Sequence, residues 1–295
     1  MDNPAEILKT FTPKKEFFIG IDSDGCAFDT MEIKHKECFC PAFINHFELQ
    51  PVSRYARQTW EFVNLYSRTR GINRFIAVEK SLELLKGRKE TAARNVKIPR
   101  MESLKKWLEK ETKLGNPALK REMEKTDDPD LKNLYAWSED VNRAVAKIVR
   151  NVAPFPFVRE SLEKMSTFTD TVVVSSTSVE ALQREWAEHD IAQYVKLIAG
   201  QEMGPKKDHI RYTAFGKYDP SKILVVGDAP GDLKAAKENG ALFFPIVPGR
   251  EETSWERFFS EGFEKFLKGT YSGTYEKSLI NTFLGSLPEL PPWQK

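Results

Sequence analysis

The sequence predicts an α/β protein: a mostly parallel sheet, entered by one strand and then interrupted by a long all-helical insert. Three observations carry this reading. Five short apolar runs have strand length, and four of them end in Asp, Ser or Gly. Amphipathic stretches separate the later runs, the alternation expected of βαβ units. Between the first and second runs, residues 31–151 are highly charged and hold no run that reads as a buried strand.

Glu16-Phe17-Phe18-Ile19-Gly20-Ile21 is the first run and stops at Asp22. Such a continuous apolar segment suits a strand buried on both faces. In the insert, Leu131, Leu134, Trp137, Val141, Val145 and Ile148 recur at three- and four-residue intervals, the stripe of one amphipathic helix. Lys86–Lys132 is dense in charge and broken by Pro99, Gly115-Asn116-Pro117 and Asp127-Asp128-Pro129. A helix over Arg159–Met165 precedes the second run, Thr171-Val172-Val173-Val174, which ends at Ser175. Ser178 is placed to cap a helix over Val179–Glu188. The third run is Val195–Ala199, ending at Gly200, and the fourth is Ile223–Val226, ending at Gly227-Asp228. Pro230 then suits the first position of a helix that Gly240 closes. Leu242–Val247 is the fifth run, and Pro245 within it marks its end or an edge position. Trp255–Leu267 reads as one more amphipathic helix, followed by a tail with Pro288, Pro291 and Pro292 that reads as a surface wrap.

Composition narrows the functional classes. A chain of 295 residues makes two domains, or one large domain carrying an insertion. Forty per cent hydrophobic and 30% charged residues make a globular chain rather than a disordered one. Basic and acidic residues number 45 and 43, a net charge of +2, which argues against a non-specific nucleic-acid binder. The longest apolar runs fall far short of the roughly 20 residues a membrane span needs. The start, Met1-Asp2-Asn3-Pro4, has neither a basic residue nor an apolar stretch behind it, so no secretory signal is expected. Three cysteines, Cys26, Cys38 and Cys40, suit reduced thiols in a cytoplasm. Cys38 and Cys40 lack the second ligand pair of a zinc site and read as small buried hydrophobes.

In parallel sheets ligands bind at the carboxyl ends of strands, so the residues ending these runs are the candidates. Asp22-Ser23-Asp24-Gly25 puts two carboxylates at the first strand end. A solvated turn is the plain reading; the alternative is a site, because buried unpaired carboxylates need a cation, donors or water. Gly227-Asp228-Ala229-Pro230-Gly231-Asp232 adds two more. Helix capping would use one acidic residue; four carboxylates from two strand ends are the hard oxygen donors Mg²⁺ prefers. Ser175-Ser176-Thr177 offers hydroxyls and N–H groups at a helix start, where an oxyanion can sit. Lys206 or Lys207 could bring an ammonium to a phosphate.

The order Asp22-Ser23-Asp24-Gly25, Val172-Val173-Val174-Ser175-Ser176, Pro205-Lys206-Lys207 and Val225-Val226-Gly227-Asp228-Ala229-Pro230-Gly231-Asp232 resembles the four motifs of the haloacid dehalogenase-like superfamily. The resemblance covers roughly Lys15–Met31 and Ala153–Gly249. It implies a Rossmann-like core over 1–30 and 152–250, a helical type-1 cap over 31–151, and a C-terminal helix and tail over 251–295 packed on the core. The insert is longer than the compact caps familiar in that superfamily. The resemblance further implies that Asp22 is a nucleophile forming an aspartyl-phosphate, and that Asp24 is a general acid and then a base. Ser175, Ser176 and Lys206 would hold phosphoryl oxygens, with Lys207 the alternative to Lys206. Mg²⁺ would be bound by the Asp22 carboxylate, the Asp24 backbone carbonyl and Asp228, with Asp232 in or just outside the shell. Cys26 stands where threonine or valine is common; no histidine adjoins it to activate a thiol, so it is read as shaping the loop.

Asp24 separates this chain from dehalogenases similar to the core, which need neither that acid nor the metal. Ser23-Asp24-Gly25-Cys26 likewise differs from the Lys-Thr-Gly-Thr continuation of P-type ATPases. The expectation is a cytoplasmic, Mg²⁺-dependent phosphatase of a small phosphorylated metabolite, with neither nucleic acid nor membrane as partner. A phosphomutase would use the same residues if water were excluded. Phosphonate cleavage would need a cap lysine, and the sequence nominates none. A non-catalytic scaffold would have no reason to concentrate four carboxylates. Within Pro51–Arg74, Arg54, Arg57, Arg68, Arg70 and Arg74 alternate with Tyr55, Trp60, Phe62 and Tyr66. The aromatics read as core and the arginines as its solvated rim, an arginine fork for an anion being the alternative. Trp107 and Trp137 read as core anchors.

Overall fold

A computed structural model describes residues 4–294. Met1, Asp2 and Asn3, which the secretory-signal expectation uses, lie outside the described residues. The chain divides into two compact units. One holds the residues up to Met31 together with Asn151–Leu287, and the other holds Glu32–Arg150 with the residues from Pro288 onward.

The first unit is built on a five-stranded parallel sheet: β1 (Phe17–Ile21), β2 (Thr169–Val174), β3 (Leu197–Ala199), β4 (Ile223–Gly227) and β5 (Leu242–Pro245). Their order is β3-β2-β1-β4-β5. β1 therefore lies centrally, with Ile21 beside Val173 on one flank and Val226 on the other. Alternate residues point to opposite faces. Ile19, Ile21, Val173, Leu224 and Val226 enter one core, while Phe18, Val172, Val174, Ile223 and Val225 enter the other. Both faces are covered, which is why these strands read as continuous apolar runs. The edge strand β5 ends at Pro245, where the missing N–H is tolerated.

Helices flank the sheet much as their signals predict. Val158–Phe168 leads into β2, and Val179–Glu188 starts at Ser178, whose hydroxyl accepts from the Ala181 N–H at 3.4 Å. Pro230 opens Pro230–Glu238, and the chain leaves it through Gly240 at φ +66°. The stretch expected as one helix over Trp255–Leu267 differs. It is α-helical over Glu251–Arg257, widens to a π-helix over Phe258–Gly262, and returns to α over Phe263–Leu267. Five residues of α-helix turn the chain roughly 140° past a full turn, which would point Phe258 and Phe263 apart. The wide turn lets both be buried, with ring centroids 5.8 Å apart.

The second unit contains no strand among its described residues. Its interior is aromatic: Phe43 packs on Trp60, Trp60 on Trp137 and Phe75 on Trp107, with centroids 4.8–6.0 Å apart. The long helix Pro129–Ile148 buries Leu131, Leu134, Trp137 and Val141. Its expected stripe fades beyond them, Ile148 being 40% exposed. This twenty-residue helix outruns the shorter helices packed on it, Cys40–His46, Glu102–Lys110 and Asn116–Thr126.

Arg54 and Arg57 are exposed, while Arg70 is buried and donates to the Leu65 carbonyl at 2.9 Å. Arg74 donates to Ser138 Oγ (3.1 Å) and Asn142 Oδ1 (2.8 Å). The tail corrects an expectation, for it does not all belong with the sheet. From Pro288 the chain groups with the helical unit: the Pro288 carbonyl accepts from the Arg68 N–H (3.2 Å), and Trp293 stacks on the Arg88 guanidinium at 4.1 Å. All three cysteines are buried free thiols, burial raising Cys38 to about 11 and Cys40 to about 12. Among the described residues, no helix is long and apolar enough to cross a membrane.

Candidate active site

Asp22 is the first residue past β1. Its N–H still donates to the Val226 carbonyl (2.9 Å), so its backbone has the rigidity of the sheet. Asp228 is the first residue past β4, the neighbouring strand. The two carboxylates thus meet at the carboxyl edge of the sheet, at the point where strand order reverses. Asp232 arrives from the first turn of Pro230–Glu238, where its Oδ2 accepts from the Ala229 N–H at 3.1 Å. Its approach requires a glycine at the end of β4, since a Cβ on Gly227 would lie 2.5 Å from Asp232 Cβ. One oxygen from each of Asp22, Asp228 and Asp232 lies within 4.8 Å of the others, and all three residues are buried.

Lys206 opens the helix Lys206–Thr213 and places Nζ 2.7 Å from Asp22 Oδ2 and 2.7 Å from Asp232 Oδ1. Lys207, one residue on, is exposed. Burial raises the Asp22 carboxyl well above the usual range. Lys206 opposes that rise, while Asp232 and Asp228 add to it. Burial alone would lower the Lys206 ammonium, but Asp22 and Asp232 hold it above its ordinary value. Three carboxylates against one ammonium leave an excess of negative charge, carried by hard oxygen donors. That donor set fits Mg²⁺. Asp24 stands outside the carboxylate cluster.

The loop after Asp22 is tight. The Ala27 and Phe28 N–H groups both donate to the Ser23 carbonyl, and Gly25, at φ +75°, donates to the Phe28 carbonyl. Two tryptophans pin it: Trp186 Nε1 donates to Ser23 Oγ (3.0 Å) and Trp255 Nε1 to the Cys26 carbonyl (2.7 Å). Cys26 is fully buried, and burial, then the charge on Asp22, raises its thiol well above the ordinary value. The Asp24 carboxylate accepts from the Thr30 hydroxyl at Oδ1 and from the Thr177 hydroxyl at Oδ2 (2.6 Å). Ser175 is buried; its N–H is spent on the Ala199 carbonyl (3.0 Å), which leaves its hydroxyl as the group it can offer an anion. Ser176 is exposed. The tryptophan clasps carry no local sequence signal, because Trp186 and Trp255 look like any other helix residues facing a core. Thr177 stands in a hydroxyl-rich triplet, and only its partner was illegible.

A family profile described as haloacid dehalogenase-like hydrolase matches residues 89–246, more than half of the chain. The chain belongs to the haloacid dehalogenase-like hydrolases. The matched span takes in β2 to β5 of this hydrolase, with Asp22 and Asp24 lying ahead of it. Similar solved structures include a haloacid dehalogenase-like family hydrolase from Streptococcus pneumoniae, at 13% identity over 81% of this chain and 90% of that one, TM-score 0.42. CbbY from Rhodobacter sphaeroides, in complex with phosphate, is similar at 14% identity over 80% and 87%, TM-score 0.42. A HAD-superfamily hydrolase of subfamily IA from Geobacter sulfurreducens is similar at 15% identity over 80% and 90%, TM-score 0.37. No curated protein matches the sequence.

Proposed function

We propose that this hydrolase is a Mg²⁺-dependent phosphohydrolase that removes phosphate from a small phosphorylated metabolite through an aspartyl-phosphate. The observation that carries the reading is the buried Asp22–Asp228–Asp232 cluster at adjacent strand ends, with the Lys206 ammonium against it. An Asp22 oxygen attacks phosphorus as the bond to the leaving oxygen breaks, and Asp24 gives that oxygen its proton. Asp24 then takes a proton from water, whose oxygen bonds to phosphorus. The Asp22–phosphorus bond breaks and inorganic phosphate leaves. Lys206, Ser175 and Ser176 donate to the non-bridging oxygens. Mg²⁺, when held by Asp22, Asp228, Asp232 and the Asp24 carbonyl, supplies positive charge against the phosphoryl oxygens.

In the same reading residues 31–151 are a cap that sets specificity, and the three free thiols suit a cytoplasmic home. The test is release of inorganic phosphate from p-nitrophenyl phosphate, with Mg²⁺ and with EDTA. Turnover is expected only with the metal, and Asp22→Asn should abolish it while circular dichroism stays unchanged. Turnover by folded Asp22→Asn would sink the nucleophile assignment.

A further inference from the structure

We infer that Thr177 is a positioning residue for Asp24: its hydroxyl sets where the Asp24 carboxyl stands for proton transfer to and from the substrate. The inference rests on the phosphohydrolase reading, in which Asp24 is the acid and base. Both oxygens of Asp24 take a threonine hydroxyl, Thr30 on Oδ1 and Thr177 on Oδ2. Donors on both oxygens restrict the rotation of the carboxylate plane as well as the direction of the side chain. The two donors are not equivalent. Thr30 follows Asp24 by six residues and belongs to the segment that also carries the nucleophile. Thr177 comes from the loop after β2, 153 residues away, and it refers the acid to the wall of the site built by the strand beside β1.

That wall is rigid at Thr177. The Thr177 N–H donates to Ser175 Oγ (3.2 Å), and its carbonyl accepts from the Gln201 N–H (3.0 Å). Gly200 lies flush against it. A Cβ there would come 2.6 Å from the Thr177 oxygen and 2.7 Å from Val179 N. Gly200 has an ordinary extended φ of −118°, so close approach rather than backbone freedom requires the glycine. Ser175, the candidate phosphate ligand, and Asp24, the candidate acid, are therefore linked through one residue held on both sides. A misplacement of about 1 Å in a reacting group costs about 10²-fold in rate. Thr177 fixes that distance.

The experiment compares wild type, Thr177→Val, Thr177→Ala and Thr177→Ser on a series of phosphate monoesters, from dinitrophenyl through phenyl to benzyl phosphate. A dinitrophenolate leaves without a proton, whereas a benzyl alkoxide needs one from Asp24. Thr177→Val and Thr177→Ala should lose about 10- to 100-fold in kcat on benzyl phosphate, and less than about 3-fold on dinitrophenyl phosphate. Thr177→Ser keeps the hydroxyl and should restore the wild-type dependence on the leaving group. Equal losses across the series, or no loss on benzyl phosphate, would overturn the inference and leave the phosphohydrolase reading standing. A wild-type protein that turns over no member of the series would remove both.

Discussion

Replacing Lys206 with methionine should destabilise the metal-free protein and make its stability depend on added Mg²⁺. The side chain is 18% exposed and touches Asp22 (7%) and Asp232 (2%), each at 2.7 Å. With an effective dielectric of ~20, each contact carries about 6 kcal/mol of attraction, against which desolvation of all three groups must be set. Methionine keeps most of the stem but leaves the carboxylates without their cation, and loss of one partner of a buried pair costs about 3–5 kcal/mol. Part of that cost can be escaped by proton uptake. Burial and the neighbouring carboxylates already hold Asp22 above its unfolded value, and removing the ammonium raises it further. A carboxyl whose folded value is raised destabilises the protein when ionised, so the deficit grows as pH rises through the folded value and shrinks as pH falls. Urea unfolding at pH 7 in EDTA should show a loss of at least about 3 kcal/mol. Mg²⁺ should recover more of it in Lys206→Met than in wild type, since the donor set is unchanged. A loss below about 1 kcal/mol, or one indifferent to Mg²⁺ and pH, would refute the claim that Lys206 balances this charge cluster.

Two further substitutions probe the supports of the site. Gly227→Ala places a Cβ 2.5 Å from Asp232 Cβ; it should cost about 1–3 kcal/mol in thermal unfolding and lower phosphate release, and an unperturbed variant would show that Asp232 can yield. His209 is fully buried behind Lys206 on the same helix, and burial, with the Lys206 charge, lowers it from 6.5 to about 4. Its neutral form is the one the fold accepts, so its contribution is complete above the unfolded value and is lost as pH falls towards 4. Over that window wild type should lose about 3 kcal/mol more than His209→Leu, and parallel unfolding curves across pH would contradict this.

The strands were legible because a parallel sheet covered on both faces needs uninterrupted apolar runs, and Phe17–Ile21 and Ile223–Val226 have no other use for theirs. The ends of β1 and β4 were legible as well, because an acidic residue stopping an apolar strand has no apolar partner. The turn at Gly240 and the cap at Ser178 followed from local chemistry. Less legible was anything set by a contact between distant segments. Gly227, Gly200 and Gly262 look alike in sequence, yet each is required by a different neighbour: Asp232, Thr177 and Phe244. The π-turn over Phe258–Gly262 depends on two phenylalanines five residues apart sharing one core, which an α-helical period cannot anticipate. The tail from Pro288 carries no apolar pattern strong enough to say which unit it joins.

By itself the sequence determined the class of fold, the interruption after β1, and which residues end the strands. Each of these follows from short-range patterning of apolar, acidic and turn-forming side chains. Only the tertiary structure decided that Asp22, Asp228 and Asp232 share one buried cluster and that Lys206, not the adjacent Lys207, enters it. It alone decided that Asp24 faces two threonines instead of joining the cluster. Those outcomes depend on strand order and helix rotation, which bring together atoms up to some 200 residues apart, and no local window of sequence holds both partners.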